Sequence, residues 1–305
     1  MTLQQSTNWA PLNLTVRVGC HIAYETSVPT PAFFVLKPRL EGKVLVYQEK
    51  LSFGIGLPSY EFQDSYDNIT CRSMLMPGRN DIRHDALVAV SSLPDSRVGA
   101  EQAVSVAQLP TELLRYTLPS RYCDSDKLLN FAWNLFGSIP HGLQRVQAIC
   151  DWVHTNIEYR FGSGRNDLSA SEIIERRYGV CRDFAHVAIA LCRAFNLPAR
   201  YVTGHLPDIE YIDPGVPMDF HGYCEVYLGR EWFTFDPRYN VPRIGRVKVA
   251  HGLDAVDGAF GTIYGEAKLT YFEIWAYQVN PDEVSVGDPI DLSKRLDGTT
   301  TLRLR

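Results

Sequence analysis

Cys181, His221 and Asp236 have the residue types and the chain order of a catalytic triad built on a thiol. Cys181 follows Gly179-Val180 and begins a segment whose apolar spacing predicts a helix. A helix N-terminus favours negative charge, and the thiolate is the reactive form of cysteine. The free N–H groups there could also hold a developing oxyanion. Taken alone, such a cysteine is more often a small buried hydrophobe, so the interpretation depends on the other two residues.

A β-hairpin is predicted to bring His221 and Asp236 together. His221 begins one strand pattern and Asp236 ends the next, with Gly229 between them. A two-residue loop at Leu228-Gly229 would put the two side chains directly opposite, with Cβ atoms about 4.5–5.5 Å apart. A four-residue loop would leave them one diagonal step apart on the same face, whereas a three-residue loop would separate them unless a bulge intervened. In the first two geometries the carboxylate can orient the imidazole.

Each of these two residues also has a simpler interpretation. A histidine at the start of a strand can be exposed to solvent, and Asp236 before Pro237 can be the first residue of a turn. The coincidence of all three residues, in the order Cys–His–Asp, favours the triad.

The remaining cysteines and histidines lack such a context. Cys224 is an odd number of positions from the strand histidine and should face the other side of the sheet, and Cys150 and Cys192 lie on apolar helix faces. His186 points to a different side of its helix from the candidate nucleophile and is predicted to be structural. The sequence has no Cys-x-x-Cys pair, no His-Glu-x-x-His helix and no glycine-rich phosphate loop. No metal or other cofactor is therefore expected.

The elements that must position these residues divide the 305-residue chain into two domains. Short alternating runs separated by turn residues predict a small antiparallel β-sandwich-like domain over residues 1–95. Residues 96–118 are mixed and polar and form the predicted linker. Helical spacing then dominates, with a capping box at Ser169 and Glu172, and short strands follow up to about Val279. This pattern predicts an α+β catalytic core over residues 119–280 and a weakly patterned tail over 281–305.

The composition narrows the class of protein. The net charge is −5, and no run rich in lysine or arginine indicates a nucleic-acid partner. The apolar stretches are too short to span a bilayer, so no membrane partner is expected. The N-terminus lacks the pattern of a signal peptide, and the seven cysteines have no framework-like spacing. We therefore expect a cytoplasmic protein, whose oligomeric state the sequence does not indicate.

Four segments around these residues resemble bacterial transglutaminase-like proteins. They are the nucleophile helix at 178–186 (YGVCRDFAH), the histidine strand at 219–227 (DFHGYCEVY), the aspartate strand at 232–237 (WFTFDP) and the start of the core domain at 116–122 (YTLPSRY). The β-rich first third is similar to the N-terminal region that accompanies the core in one bacterial branch. The resemblance runs from about Leu12 to Val279, and the three catalytic positions match.

The resemblance implies a papain-like, transglutaminase-like core, in which a helix carrying Cys181 packs on an antiparallel sheet carrying His221 and Asp236. It also implies acyl transfer from the amides of peptide or protein substrates through a thioester, with the Cys181 N–H as one oxyanion donor. We expect hydrolysis, by a cysteine protease or amidase, because nothing marks an amine-acceptor site. The alternatives are a protein-glutamine transglutaminase and a non-catalytic interaction module. Some members of the family bind calcium, but no clustered Asp/Asn loop resembles such a site here.

Overall fold

The computed structural model describes residues 11–41, 44–54, 58–211, 215 and 217–298. The described chain begins with strands alone: β1 (Leu12–Thr26), β2 (Thr30–Phe34), β3 (Leu45–Phe53), β4 (Ser59–Gln63), β5 (Ile69–Leu75) and β6 (Gly78–Ser91). Helices with two short strands follow: α1 (Leu129–Phe136), α2 (Leu143–Asn156), β7 (Glu158–Tyr159), α3 (Ala170–Arg176), β8 (Tyr178–Gly179) and α4 (Cys181–Arg193). The last strands are β9 (Ala199–His205), β10 (His221–Leu228), β11 (Glu231–Phe235), β12 (Val247–Gly252), β13 (Gly261–Ile263) and β14 (Lys268–Gln278).

The strand-rich N-terminal domain consists of two antiparallel sheets. Their strand orders are β14-β1-β6-β3 and β13-β2-β5-β4. Alternate apolar residues of each sheet point inward, and one buried cluster combines Ile22, Ile82 and Ile274 of the first sheet with Phe34 and Leu75 of the second. Burial of such side chains stabilises the pair by about 1.5–3 kcal/mol for each residue. The predicted β domain before the core is thus confirmed.

The strand β14 joins this first sheet and not the sheet that carries His221. It pairs antiparallel with β1, and Val18 lies opposite Ala276. The sequence division had placed this segment in the core, at 119–280, because its alternation fits a half-buried strand of either sheet and carries no information about its partner. The chain therefore leaves the N-terminal sheets, builds the core and returns. The remaining domain boundaries stay a prediction.

The core is an antiparallel sheet, of order β11-β10-β9-β12, with α4 packed on it. Every residue of α4 from Asp183 to Arg193 is buried, as is typical of a helix in the centre of a domain. Small side chains such as Ala185 and Ala188 allow close packing of the helix among its neighbours. Only the N-terminal end of α4, at Cys181 and Arg182, is partly exposed. The fold therefore fixes the helix rigidly and leaves its first turn accessible.

Among the described residues, none of the helices has the length and apolar character needed to cross a bilayer.

Candidate active site

The sulfur of Cys181 lies against the backbone at the start of β10. The Gly222 N–H donates to Cys181 Sγ at 3.4 Å, and the thiol faces the carbonyl oxygen of Phe220 at 3.8 Å. These two residues flank His221 in the chain. The predicted position of Cys181, at the first turn of a helix, is thus joined directly to the strand that carries the predicted base. The helix start itself is capped by Asp183, whose carboxylate accepts from the Val180 N–H at 2.9 Å.

Gly222 makes this close approach possible because it has no side chain. A Cβ atom added at position 222 would lie 2.7 Å from the Tyr201 hydroxyl oxygen and 3.1 Å from the Arg182 Cα. The second distance is to helix backbone, which cannot move without displacing the nucleophile. A glycine at this place therefore sets the distance between the Cys181 helix and the β10 strand.

His221 and Asp236 form a hydrogen-bonded pair. His221 Nε2 lies 2.7 Å from Asp236 Oδ2, and the two side chains are only 5% and 2% exposed. Burial lowers the pKa of His221, and the neighbouring carboxylate offsets part of that effect. Burial acts to raise the pKa of Asp236, but the charges of His221 and Arg246 outweigh it and hold that pKa far below its usual range. Asp236 is therefore ionised and can orient the imidazole.

The register of the hairpin differs from the direct pairing predicted for a loop at Leu228-Gly229. Leu228 lies opposite Glu231 and Cys224 opposite Phe235, so the turn consists of Gly229 and Arg230. Both turn residues have positive φ, 55° and 81°, as a type I′ turn requires. The shift amounts to two positions, which preserves the face of each side chain. His221 and Asp236 consequently meet along a diagonal of the sheet, the geometry that had been predicted for a longer loop.

The surroundings of Cys181 raise the pKa of its thiol, whereas a helix N-terminus alone was expected to lower it. Burial and the Asp219 carboxylate raise the pKa of the Cys181 thiol to about 11, although the Gly222 N–H and Arg238 lower it. The desolvation of a thiolate here outweighs the stabilisation by the helix end. These effects favour the protonated thiol, and burial likewise favours the neutral form of His221. A thiol with a raised pKa needs a general base to remove its proton before it can act as a nucleophile.

Cys181 and His221 line a cavity of about 1100 Å³, whose lining comes from both the core and the N-terminal sheets. Tyr159, Arg238 and Tyr239 line it beside the catalytic residues. The N-terminal sheets contribute Tyr24, Trp275 and Tyr277 to the lining. A cleft of this size, with a few polar groups converging on a thiol, suits a peptide-sized ligand.

Comparison with known proteins identifies the superfamily of this chain. A sequence model of the transglutaminase-like superfamily matches residues 130–237, which include all three candidate residues. A crystal structure described as a "putative cysteine protease", from Cytophaga hutchinsonii, is 32% identical and superposes with a TM-score of 0.80. That match covers 88% of this chain and 92% of the other. The chain belongs to the transglutaminase-like superfamily.

Curated relatives match this transglutaminase-like chain over shorter segments. An uncharacterized protein of Mycobacterium leprae is 27% identical over 117 residues, which is 37% of this chain and 42% of that protein. An uncharacterized protein of Mycobacterium tuberculosis is 36% identical over 97 residues, 28% of this chain and 30% of its own length. The matched segment thus spans less than half the length of these relatives.

Sequence reasoning missed one residue of this transglutaminase-like site. Arg246 lies just before β12, and its Nη2 donates to Asp236 Oδ2 at 2.9 Å. Its Nε donates to Asp95 Oδ2 at 2.8 Å, and its side chain is 7% exposed. The guanidinium also lies 4.6 Å from the centre of the Tyr223 ring. A single arginine outside any motif gives no signal in the sequence, and only the fold brings it to Asp236.

The other cysteines and histidines named from the sequence take structural positions in the transglutaminase-like core. Cys150, Cys192 and Cys224 belong to the buried cluster around α4. His186 stacks on Tyr122, and its Nε2 accepts from a backbone N–H at 3.1 Å. In the described part of the chain, no group of three or more histidine, cysteine, aspartate or glutamate side chains is arranged to hold a metal ion.

Proposed function

We propose that this chain is a cysteine-nucleophile acyl-transfer enzyme that hydrolyses amide bonds of peptides or proteins, as a protease or amidase. The supporting observation is the contact between Cys181 and the strand that carries His221: the Gly222 N–H donates to the Cys181 sulfur at 3.4 Å. The bond of 2.7 Å between His221 and Asp236 completes a Cys–His–Asp arrangement. The description of the Cytophaga hutchinsonii protein as a "putative cysteine protease" favours hydrolysis.

The first half of the proposed reaction forms a thioester. The ring nitrogen of His221 that does not contact Asp236 takes the proton of the thiol while Sγ of Cys181 attacks the amide carbon. Asp236 stabilises the resulting imidazolium, and the N–H groups at the first turn of α4 stabilise the oxyanion. The tetrahedral intermediate collapses with cleavage of the C–N bond. The imidazolium gives its proton to the departing nitrogen, which leaves as a free amine.

The second half regenerates the enzyme. Water attacks the thioester carbon while His221 again accepts a proton, and the carboxylic acid leaves as the sulfur regains its hydrogen. If an amine takes the place of water, the product is a new amide and the enzyme is a transglutaminase. The resting thiol, with its raised pKa, makes His221 necessary in both halves.

A substrate screen tests the proposal. Short peptides and small amides are incubated with the purified chain, with and without a primary amine, and the products are identified by mass spectrometry. We expect acid products in both conditions and none with Cys181→Ala. Amide products that require the added amine would instead support a transglutaminase. No turnover of any substrate, together with a thiol that reagents do not reach, would support a non-catalytic module.

A further inference from the structure

Arg238 is held rigidly beside the catalytic thiol. Its guanidinium carbon lies 3.6 Å from the centre of the Tyr159 ring and 4.6 Å from that of Tyr239. Its carbonyl oxygen lies 2.9 Å from His154 Nδ1, which ties down the backbone as well. Stacking on aromatic faces fixes the plane of a guanidinium and removes most of its rotational freedom. The cation therefore has one orientation in the cavity that Cys181 and His221 line.

Among the described residues, the Arg238 guanidinium has no anionic partner. No carboxylate among the described residues forms an ion pair with Arg238, whose side chain is partly exposed. Two other arginines stacked on tyrosines do have one: Arg160, 4.0 Å from the Tyr178 ring centre, pairs with Glu158 at 2.6 Å, and Arg243 contacts Asp208 at 3.5 Å. Arg238 thus lines the cavity with no carboxylate paired to it among the described residues.

The carboxylate of Asp219, which also acts on the Cys181 sulfur, indicates where in the cavity a ligand anion would bind. This carboxylate is exposed and bound to the Phe220 N–H at 2.7 Å. It raises the pKa of the Cys181 thiol while Arg238 lowers it, after the larger effect of burial. Both charges therefore act on the sulfur, and they are separate, since no ion pair joins them among the described residues. A ligand carboxylate would be repelled from Asp219 and drawn to Arg238.

We propose that Arg238 binds a carboxylate of the substrate, so that the site favours amides with a free carboxylate close to the scissile bond. A planar guanidinium can hold a carboxylate through two parallel N–H···O bonds. Because Arg238 is already ordered, little conformational entropy is lost when it does so. This inference concerns the substrate class of the function proposed above. The carboxylate can be a peptide C-terminus or an acidic side chain.

The first experiment measures carboxylate recognition at the thiol without any turnover. Iodoacetate and iodoacetamide alkylate the same sulfur and differ in charge, so their rate ratio at Cys181 cancels changes in thiol pKa and in access. Each ratio is divided by the ratio for glutathione under the same conditions. We expect the normalised preference for iodoacetate to be about tenfold in wild type. This is the size of effect that attraction between the Arg238 guanidinium and the reagent's carboxylate would give in a partly screened cleft. In Arg238→Gln the preference should fall to one or below, because the Asp219 carboxylate remains near the sulfur.

Controls separate this effect from general disturbance. Arg160→Gln removes a neighbouring tyrosine-stacked arginine that does not line the cavity, and it should leave the ratio unchanged. Asp219→Asn should raise the preference further. In wild type the preference should fall at about 1 M salt, where charges are screened beyond about 3 Å. This last measurement needs no variant and holds even if Arg238→Gln does not fold.

The outcomes also separate this inference from the proposed function. An unchanged ratio in Arg238→Gln, or no salt-dependent preference in wild type, overturns carboxylate binding whether or not amides are hydrolysed. If the preference is found, matched peptides identify its source: free C-terminal acid against C-terminal amide, and glutamate against glutamine beside the scissile bond. We expect Arg238→Gln to raise KM for the acidic member of one pair at least tenfold more than it raises KM for the neutral member. Equal losses for both members would show that Arg238 does not select the carboxylate.

Discussion

Arg246 donates to the same carboxylate oxygen of Asp236, Oδ2, that contacts His221. The two distances are 2.9 Å from Arg246 Nη2 and 2.7 Å from His221 Nε2. A carboxylate held from two sides cannot rotate away from the imidazole, and the second cation keeps it ionised. Arg246 also reaches Asp95, in the segment that follows the N-terminal strands. Asp236 is thus held by two residues, Arg246 and through it Asp95, that lie outside the family's sequence match at 130–237.

Arg246→Gln should lower kcat by about 10- to 100-fold, the range expected when a charged hydrogen bond worth about 1.5–3 kcal/mol is lost. Burial lowers the pKa of His221, and the Arg246 charge lowers it further. Without that charge the pKa of His221 rises, so the acidic limb of the kcat/KM profile should move to higher pH, because the base must be neutral. Asp95→Asn is the matched control, since it keeps the contact with Asp236. A rate loss in Arg246→Gln with no shift of the limb would mean that Arg246 acts on stability alone.

Asp236→Asn should reduce turnover by roughly 10²-fold or more, because the amide cannot stabilise the imidazolium and can favour the wrong tautomer. If Asp236 served only to begin the turn with Pro237, asparagine would replace it with little change in rate. Steady-state kinetics and thermal unfolding of the variant beside wild type distinguish the two. Turnover close to wild type would remove Asp236 from the triad and leave Cys181 and His221.

Gly222→Ala should nearly abolish activity, because the new Cβ meets helix backbone at Arg182 Cα, 3.1 Å away. Crowding of this kind typically costs about 1–3 kcal/mol of stability. Gly261→Ala is a suitable control, since its Cβ would come no closer than 3.4 Å to Phe34. Activity and unfolding temperature are compared for both variants. If Gly222→Ala keeps full activity, the close approach of helix and strand is not needed for catalysis.

Iodoacetamide should select Cys181 among the cysteines because this thiol is accessible, and not because its pKa is low. The other six cysteines are buried, so iodoacetamide should label Cys181 first. Its pKa is raised to about 11, so the labelling rate should keep rising with pH beyond the ordinary thiol pKa of about 8.5. Peptide mapping at a series of pH values measures this. A plateau at mildly acidic pH would instead indicate a resting thiolate–imidazolium pair.

Prediction from the sequence succeeded for helix starts, which depend on a few neighbouring residues. The capping box at Ser169 and Glu172 is present, with the Ser169 N–H donating to Glu172 at 2.7 Å. Helix α4 begins at Cys181 as the pattern indicated. The α3 helix ends at Arg176, because Arg177 adopts the left-handed conformation with φ of 65°.

Prediction from the sequence failed for features that depend on contacts between distant parts of the chain. The hairpin register depends on Arg230 adopting positive φ, for which an arginine gives no sequence signal. The partner of β14 and the contact of Arg246 with Asp236 depend on how separated segments pack. The thiol pKa was misjudged for the same reason, since burial is a property of the fold and the helix N-terminus is a local one.

The central claim, that Cys181 carries the acyl group, is tested most directly by trapping the intermediate. Enzyme turning over an amide or activated-ester substrate is quenched in acid, which preserves thioesters, and the modified peptide is identified by mass spectrometry. The account predicts one acyl group on the peptide that contains Cys181, lost on treatment with hydroxylamine and absent in Cys181→Ala. Turnover retained in Cys181→Ala, or an acyl group on another residue, would contradict it.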